Sequence, residues 1–269
     1  MNIKHRSDLR LAIGMQYFRL KRHLKWCFGQ YKFAKQHDHA LIHEHYRHHT
    51  PLYRKLKDVD MYLQENKVIN LSLALPRVQN ITIYPGEIFS YWKTIGMPTK
   101  TKGYKPGMVL KRGKVTEGTG GGLCQLSNMI YWMTLHTPLT VVERHRHGYD
   151  VFPDSNRTQP FGSGATCFYN YGDLMIANET VHAFQLKLYM DNTHLHGAWM
   201  SAAPQQHHYE VYEKDHIMKS EYWGGHTRHN VLHRRVYNLE HKQVGDEFVT
   251  ENHAIMMYNP FIADKNSSA

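Results

Sequence analysis

The sequence predicts an α+β protein with a helical N-terminal segment, a mixed central core around a glycine-rich loop, and a β-rich C-terminal region. Two helix-period stretches, at residues 8–28 and 66–75, come first. Short strand-like and helix-like runs then mix through the middle of the chain. Beyond Ala183 the pattern alternates, as in FQLKLYM, YEVYEK and RRVYNLEH, which reads as antiparallel hairpins. The expected divisions are 1–65 (basic, histidine-rich and helical), 66–180 (core) and 181–269 (β-rich, with a flexible end).

The first helix carries Leu9, Ile13, Tyr17, Leu20 and Leu24 on one side, with Arg10, Arg19, Lys21, Arg22 and Lys25 over the rest. Such a helix either packs its apolar stripe on its own domain or lies on an anionic membrane. HDHALIHEHYRHH, residues 37–49, holds six histidines, with His39/His43 and His45/His49 at i, i+4. That spacing would pair imidazoles along a helix. Histidine is abundant throughout the chain, however, so the segment reads as incidental surface histidines and no metal is expected. The run NKVINLSLAL (66–75) is helical, with Val68, Leu71 and Leu75 as its stripe. ITIY, a Pro-Gly turn and EIFSYW follow as two strands. LTVVERHRH (139–147) reads as a strand, residues 155–164 as a polar loop, and ATCFYN and DLMIANET as further strands.

Length and composition suit a folded protein of one large domain or two modest ones. The net charge of +10, with 22 histidines in reserve below pH 6, favours an anionic partner. Nucleic acid is not expected, because charge alone supports it. Cys27, Cys124 and Cys167 are odd in number and widely spaced, so they form neither a disulfide framework nor a zinc motif. No signal-peptide h-region and no membrane-spanning run is visible, so a cytoplasmic location is expected, peripheral at the inner membrane face if residues 8–28 lie on lipid.

The most unusual stretch is TEGTGGGLCQLSN (116–128). Three glycines are costly in backbone entropy, so a positive φ or a close approach should require them. Leu126, Met129, Ile130 and Met133 then mark one helix face. Cys124 falls in the first turn, where the helix dipole and unpaired N–H groups would favour a thiolate. The same N–H groups, from Gly120, Gly121 and Gly122 onward, could hold an oxyanion, with Gln125 adding an amide and Ser127 close by. GTGGG lacks the GK[ST] of a phosphate-binding loop, and Leu123 breaks GxGxxG, so no nucleotide cofactor is expected. Downstream, His145 and His147 alternate with Arg144 and Arg146 on the expected strand, and Asp173 follows. A thiol, an imidazole and an acid in this order parallel papain-like and transglutaminase-like enzymes. The plainer alternative is that Cys124 packs where nothing larger fits, a histidine caps or bonds within the core, Glu143 pairs with Arg144, and Asp173 accepts turn amides.

PGEIFSYW (85–92), GYKPG (103–107), GGGLCQLSN (120–128), VVERHRH (141–147) and YGDLMIANET (171–180) occur in order. Together they resemble the VanW family, named for an accessory protein of glycopeptide-resistance gene clusters. The resemblance covers Asn66 to Thr180 and implies a VanW-like α/β core and a link to glycopeptide resistance. Its ERxxH pattern favours His147 over His145 as the partner of Cys124. Where relatives continue GGGxCQ with small hydroxyl residues, this chain has LSNMIYWM, so hydroxyls beyond Ser127 are not expected to matter. Two expectations result. One is cysteine-dependent acyl transfer or hydrolysis on a cell-wall-precursor peptide, with Cys124, His147, His145 and Asp173 catalytic and Gly120, Gly121, Gly122, Gln125, Ser127 and Arg144 holding the substrate. The other is a non-catalytic protein that binds a cell-wall precursor or a resistance enzyme. The partner in either case is an anionic or cell-wall-related small molecule or peptide.

Overall fold

A computed structural model describes residues 7–54, 60–111, 113–151 and 158–260. The first helix, α1 (Asp8–Phe28), starts where the Ser7 hydroxyl accepts from the Arg10 N–H. The second, α2 (Met61–Val78), extends the expected 66–75 run and buries Leu71, Ala74 and Val78 completely. A five-residue helix, α3 (Tyr91–Ile95), and α4 (Cys124–Leu135) complete the α-helices of the described residues.

The strands form three main sheets. One runs in spatial order β1 (Lys32–Phe33), β5 (Glu87–Ser90), β10 (Met175–Ala177) and β8 (Thr140–Glu143). A second runs β2 (Gln36–His37), β4 (Ile81–Ile83), β11 (Phe184–Met190), β12 (His194–Ser201) and β3 (His43–Pro51). It therefore gathers segments from before residue 65, from the middle of the chain and from beyond residue 180. The hairpin of β6 (Pro106–Lys111) and β7 (Lys114–Thr119) leads into the glycine loop. The third sheet is an antiparallel run of β13 (His208–Ser220), β14 (His226–Tyr237) and β15 (Gln243–Met256), with β9 (Tyr149–Asp150) added parallel at its edge. The α+β class and the β-rich C-terminal region are thus present. Among the described residues no helix is long and apolar enough to cross a membrane.

The main core lies where α4 packs on β12 and β3. Leu126, Met129, Ile130 and Met133, the expected stripe, are at most 1% exposed. Trp199 of β12 is fully buried, and its indole N–H donates to Thr134 of α4 at 3.1 Å.

Four local expectations need correction. The histidine segment is strand, not helix: β3 pairs with β12 from His43 to Pro51, and Tyr46 stacks on His136 at 3.9 Å. That ladder and packing override the i, i+4 spacing. Tyr91 and Trp92 leave the strand for α3, because Ser90 caps the Lys93 N–H and Asp173 accepts the Trp92 N–H. The strand expected over 139–147 ends at Glu143, beside a register shift in the β10–β8 pairing. ATCFYN is not a strand either. The Ala165 N–H is taken by the Asn128 side chain and the Thr166 N–H by the His145 carbonyl, while Phe168 and Gly172 form only an isolated bridge. The loop expected at 155–164 lies partly, and the flexible C-terminal end wholly, outside the described residues.

Candidate functional site

The glycine loop answers its own question through packing. Gly120 and Gly122 have φ of +75° and +88°, in the left-handed region that glycine tolerates. A Cβ on Gly121 would sit 2.1 Å from the backbone carbonyl of Gly107, and one on Gly122 would sit 2.3 Å from the Lys67 side chain. The loop N–H groups are already engaged: Gly120 donates to Lys105, Gly121 to Gly118 and Gly122 to Met108, at 2.9–3.0 Å. Asn70 of α2 donates to the Gly121 carbonyl at 2.9 Å. These amides fasten the loop to the β6–β7 hairpin, which Asn70 ties to α2, so they are not aimed at an oxyanion.

Cys124 is the first residue of α4, as its position after the loop predicts. Among the described residues its thiol reaches the Cys167 carbonyl, at 3.9 Å, and burial pushes its pKa up rather than down. Cys167 is buried, whereas Cys124 is only partly covered, and the Cys167 thiol is raised well above the usual range, first by burial and then by the neighbouring Cys124. Gln125 donates to Thr50 and Pro51, tying α4 to β3. The buried Ser127 hydroxyl donates to Ala165 at 2.7 Å.

Arg144 is equally engaged. It donates to the carbonyls of Gly162 and Gly164 and to the side chains of Thr250 and Asn252, and it lies over the Tyr131 ring. Reaching these partners takes the chain off the sheet after Glu143. His145 and His147 therefore share no strand face. His145 Nε2 pairs with Glu143 at 3.0 Å, whereas His147 stands edge-on to Phe168, and burial followed by repulsion from Arg146 lowers its pKa. No hydrogen bond joins either histidine to Cys124 or Asp173 among the described residues.

What the fold does assemble is a carboxylate pair. Asp173 is fully buried and accepts from the Ser90 hydroxyl at 2.5 Å and from the N–H groups of Trp92 and Leu174 at 2.9 Å. Glu143 accepts the Asp173 N–H at 3.2 Å and a two-pronged contact from Arg22 of α1. Burial raises Asp173 to about 6, against the pull of its hydrogen bonds. Burial also opposes the Glu143 charge, yet the hydrogen bonds from His145 and Arg22 hold it down to about 2. Diverging carboxylates of this kind occur at catalytic sites, but also in structural ion-pair networks. Here every oxygen of Asp173 is occupied by the protein itself. Glu143 could have been suspected from ERHRH, whereas nothing in the sequence signals Arg22, 121 residues away.

Beside this network, a groove of about 430 Å³ is lined by Gln16, Arg19, Leu20, His23, Met97 and Tyr169, at the seam between α1 and the core. Among the described residues no group of three or more His, Cys, Asp or Glu side chains is arranged to hold a metal ion.

A family model described as VanW-like protein matches residues 66–200, half of the chain. The chain is 36% identical over 160 residues to the vancomycin B-type resistance protein VanW of Enterococcus faecalis, covering 60% of this chain and 58% of that protein. It is also 36% identical over 82 residues to the uncharacterized protein YoaR of Bacillus subtilis, covering 30% of this chain and 27% of that one. It thus spans less than two thirds of the length of the curated relatives it matches. No solved structure matches it. The loop, the ERHRH turn and the YGD segment described above all fall inside the matched window, and the chain belongs to the VanW family.

Proposed function

We propose that this chain is a non-catalytic accessory protein that binds an anionic, cell-wall-related small molecule or peptide in the setting of glycopeptide resistance. Its family is linked to vancomycin resistance through the Enterococcus relative. The observation that carries the non-catalytic part is the state of Cys124. A nucleophilic thiol needs a lowered pKa and a base within hydrogen-bond reach. This one is raised by burial and, among the described residues, meets a carbonyl oxygen and no base. The seam groove is the place to seek the ligand, since Arg19 supplies positive charge beside the apolar Leu20 and Met97 and the ring of Tyr169. A cytoplasmic location belongs to the same proposal.

Native-state alkylation with iodoacetamide tests this reading. Cys27, which is exposed, should react first, and Cys124, partly covered and with its pKa raised, should react more slowly than Cys27 near neutral pH. A Cys124→Ser variant should keep whatever vancomycin resistance the wild-type chain confers on a susceptible host. Fast labelling of Cys124 at neutral pH, together with loss of resistance in the serine variant, would return the cysteine-enzyme reading to first place.

A further inference from the structure

The apolar stripe of α1 faces away from the protein. Leu9, Ile13, Tyr17, Leu20 and Leu24 are 72%, 62%, 59%, 60% and 49% exposed. At 100° per residue these five fall within an arc of about 80°, and from Leu9 to Leu24 the stripe runs about 22 Å. The opposite face holds the helix to the core, and it does so largely through polar groups. Arg22 pairs with Glu143 and donates to the Tyr171 carbonyl at 3.2 Å. Arg19 donates to the Tyr169 carbonyl at 3.2 Å, and Trp26 packs into the core.

This inverts the usual arrangement of a surface helix, whose apolar side faces its own domain. Exposed Arg10, Lys21 and Lys25 border one edge of the stripe. The whole helix carries five basic residues against one acidic one. A second copy of the chain laid on this face would bring two positive edges together, whereas an anionic surface would meet both the charge and the apolar strip. We propose that α1 docks this protein on an anionic lipid surface. Leu9, Ile13, Tyr17, Leu20 and Leu24 enter the headgroup–acyl boundary, and Arg10, Lys21 and Lys25 meet the lipid phosphates. Because Arg22 fastens the same helix to Glu143, the seam groove is then held close to the membrane plane. This docking does not depend on whether the groove binds a ligand or Cys124 is inert.

Co-sedimentation of the full chain with vesicles tests the proposal. Vesicles of phosphatidylcholine mixed with phosphatidylglycerol should pull the protein down, and pure phosphatidylcholine vesicles much less. Raised salt should weaken the binding, because it screens exposed charges. The double variant Ile13→Glu/Leu20→Glu should bind the mixed vesicles at least about tenfold more weakly, since both the buried apolar area and the local charge change. Circular dichroism should find that variant as folded as the wild type, because both side chains lie in solvent. The proposal is overturned if the wild type stays in the supernatant, or if the double variant sediments equally well. It is also overturned if light scattering finds a wild-type dimer that the double variant dissolves, because a second copy then covers the stripe.

Discussion

Helices α1 and α4 both carry an apolar stripe, the first among charged residues and the second without any, and the two stripes meet opposite fates. The apolar side of α4 is sealed against β3 and β12, and the polar groups around its first turn are satisfied by Thr50, Pro51 and Ala165. In α1 Arg19, Arg22 and Trp26 face the core, while Leu9, Leu20 and Leu24 face out. An apolar stripe shows that a helix has something to cover. It does not show that the cover is the helix's own domain. α4 is therefore held mainly by burial, and α1 largely by an ion pair with its surrounding hydrogen bonds.

The sharpest way to break this contrast is to remove the ion pair. Arg22→Ala leaves Glu143 partly buried without its main partner, which should cost about 3–5 kcal/mol in chemical denaturation. Limited proteolysis should then cut within α1 before the core. Pairing it with Glu143→Gln should restore part of the loss, and a double variant no better than Arg22→Ala would mean that α1 is held by Trp26 rather than by charge. A second change strikes the α4 side. Gly121→Ala drives a methyl group into the Gly107 backbone, which cannot rotate away, and should cost about 1–3 kcal/mol by the same measurement. A stable alanine variant would show that the loop has room for a ligand.

The contrast also marks what could be read in the sequence. The α4 stripe was legible because its pattern is complete within one 12-residue helix. The hairpins beyond Ala183 were legible because alternation repeats along each strand. β3 was not, since histidines and charges fill it and its strand character comes from pairing with β12, about 150 residues on. The shared face of His145 and His147 failed for a similar reason. Arg144 takes the chain toward Gly162, Gly164, Thr250 and Asn252, none of which is near in sequence. The geometry of the candidate site was not legible, because Gln125, Arg144 and Asp173 find partners distant in sequence that local patterning cannot reveal.

A smaller effect separates a structural carboxylate from a working acid. Glu143, held near 2 when folded, stabilises the protein above its ordinary value of about 4.5, and that contribution fades as pH falls toward 2. Asp173 acts in the opposite sense. Its folded value of about 6 exceeds the ordinary 3.8, so the folded state holds the extra proton between those values. Its contribution is complete below 3.8 and is lost as pH rises through 6. Asp173→Asn keeps an acceptor for the Trp92 and Leu174 N–H groups, and it should remove the decline in stability between pH 4 and 6. Urea melts of both proteins at pH 4.5 and pH 7 measure this. If the two proteins decline alike, the Asp173 assignment fails.

The smallest expected change lies on the exposed face of α1. In a domain helix of the α4 kind, Leu126→Ala removes a fully buried side chain and should cost about 2–5 kcal/mol. Leu20→Ser makes a superficially similar change, but Leu20 is 60% exposed and lines the open groove. Surface substitutions away from special contacts stay within about 0.5 kcal/mol. Leu20→Ser should therefore leave the denaturation midpoint nearly unchanged in dilute buffer without lipid. A loss as large as that of Leu126→Ala would mean that the stripe is packed on protein, and the opposition between the two helices would disappear.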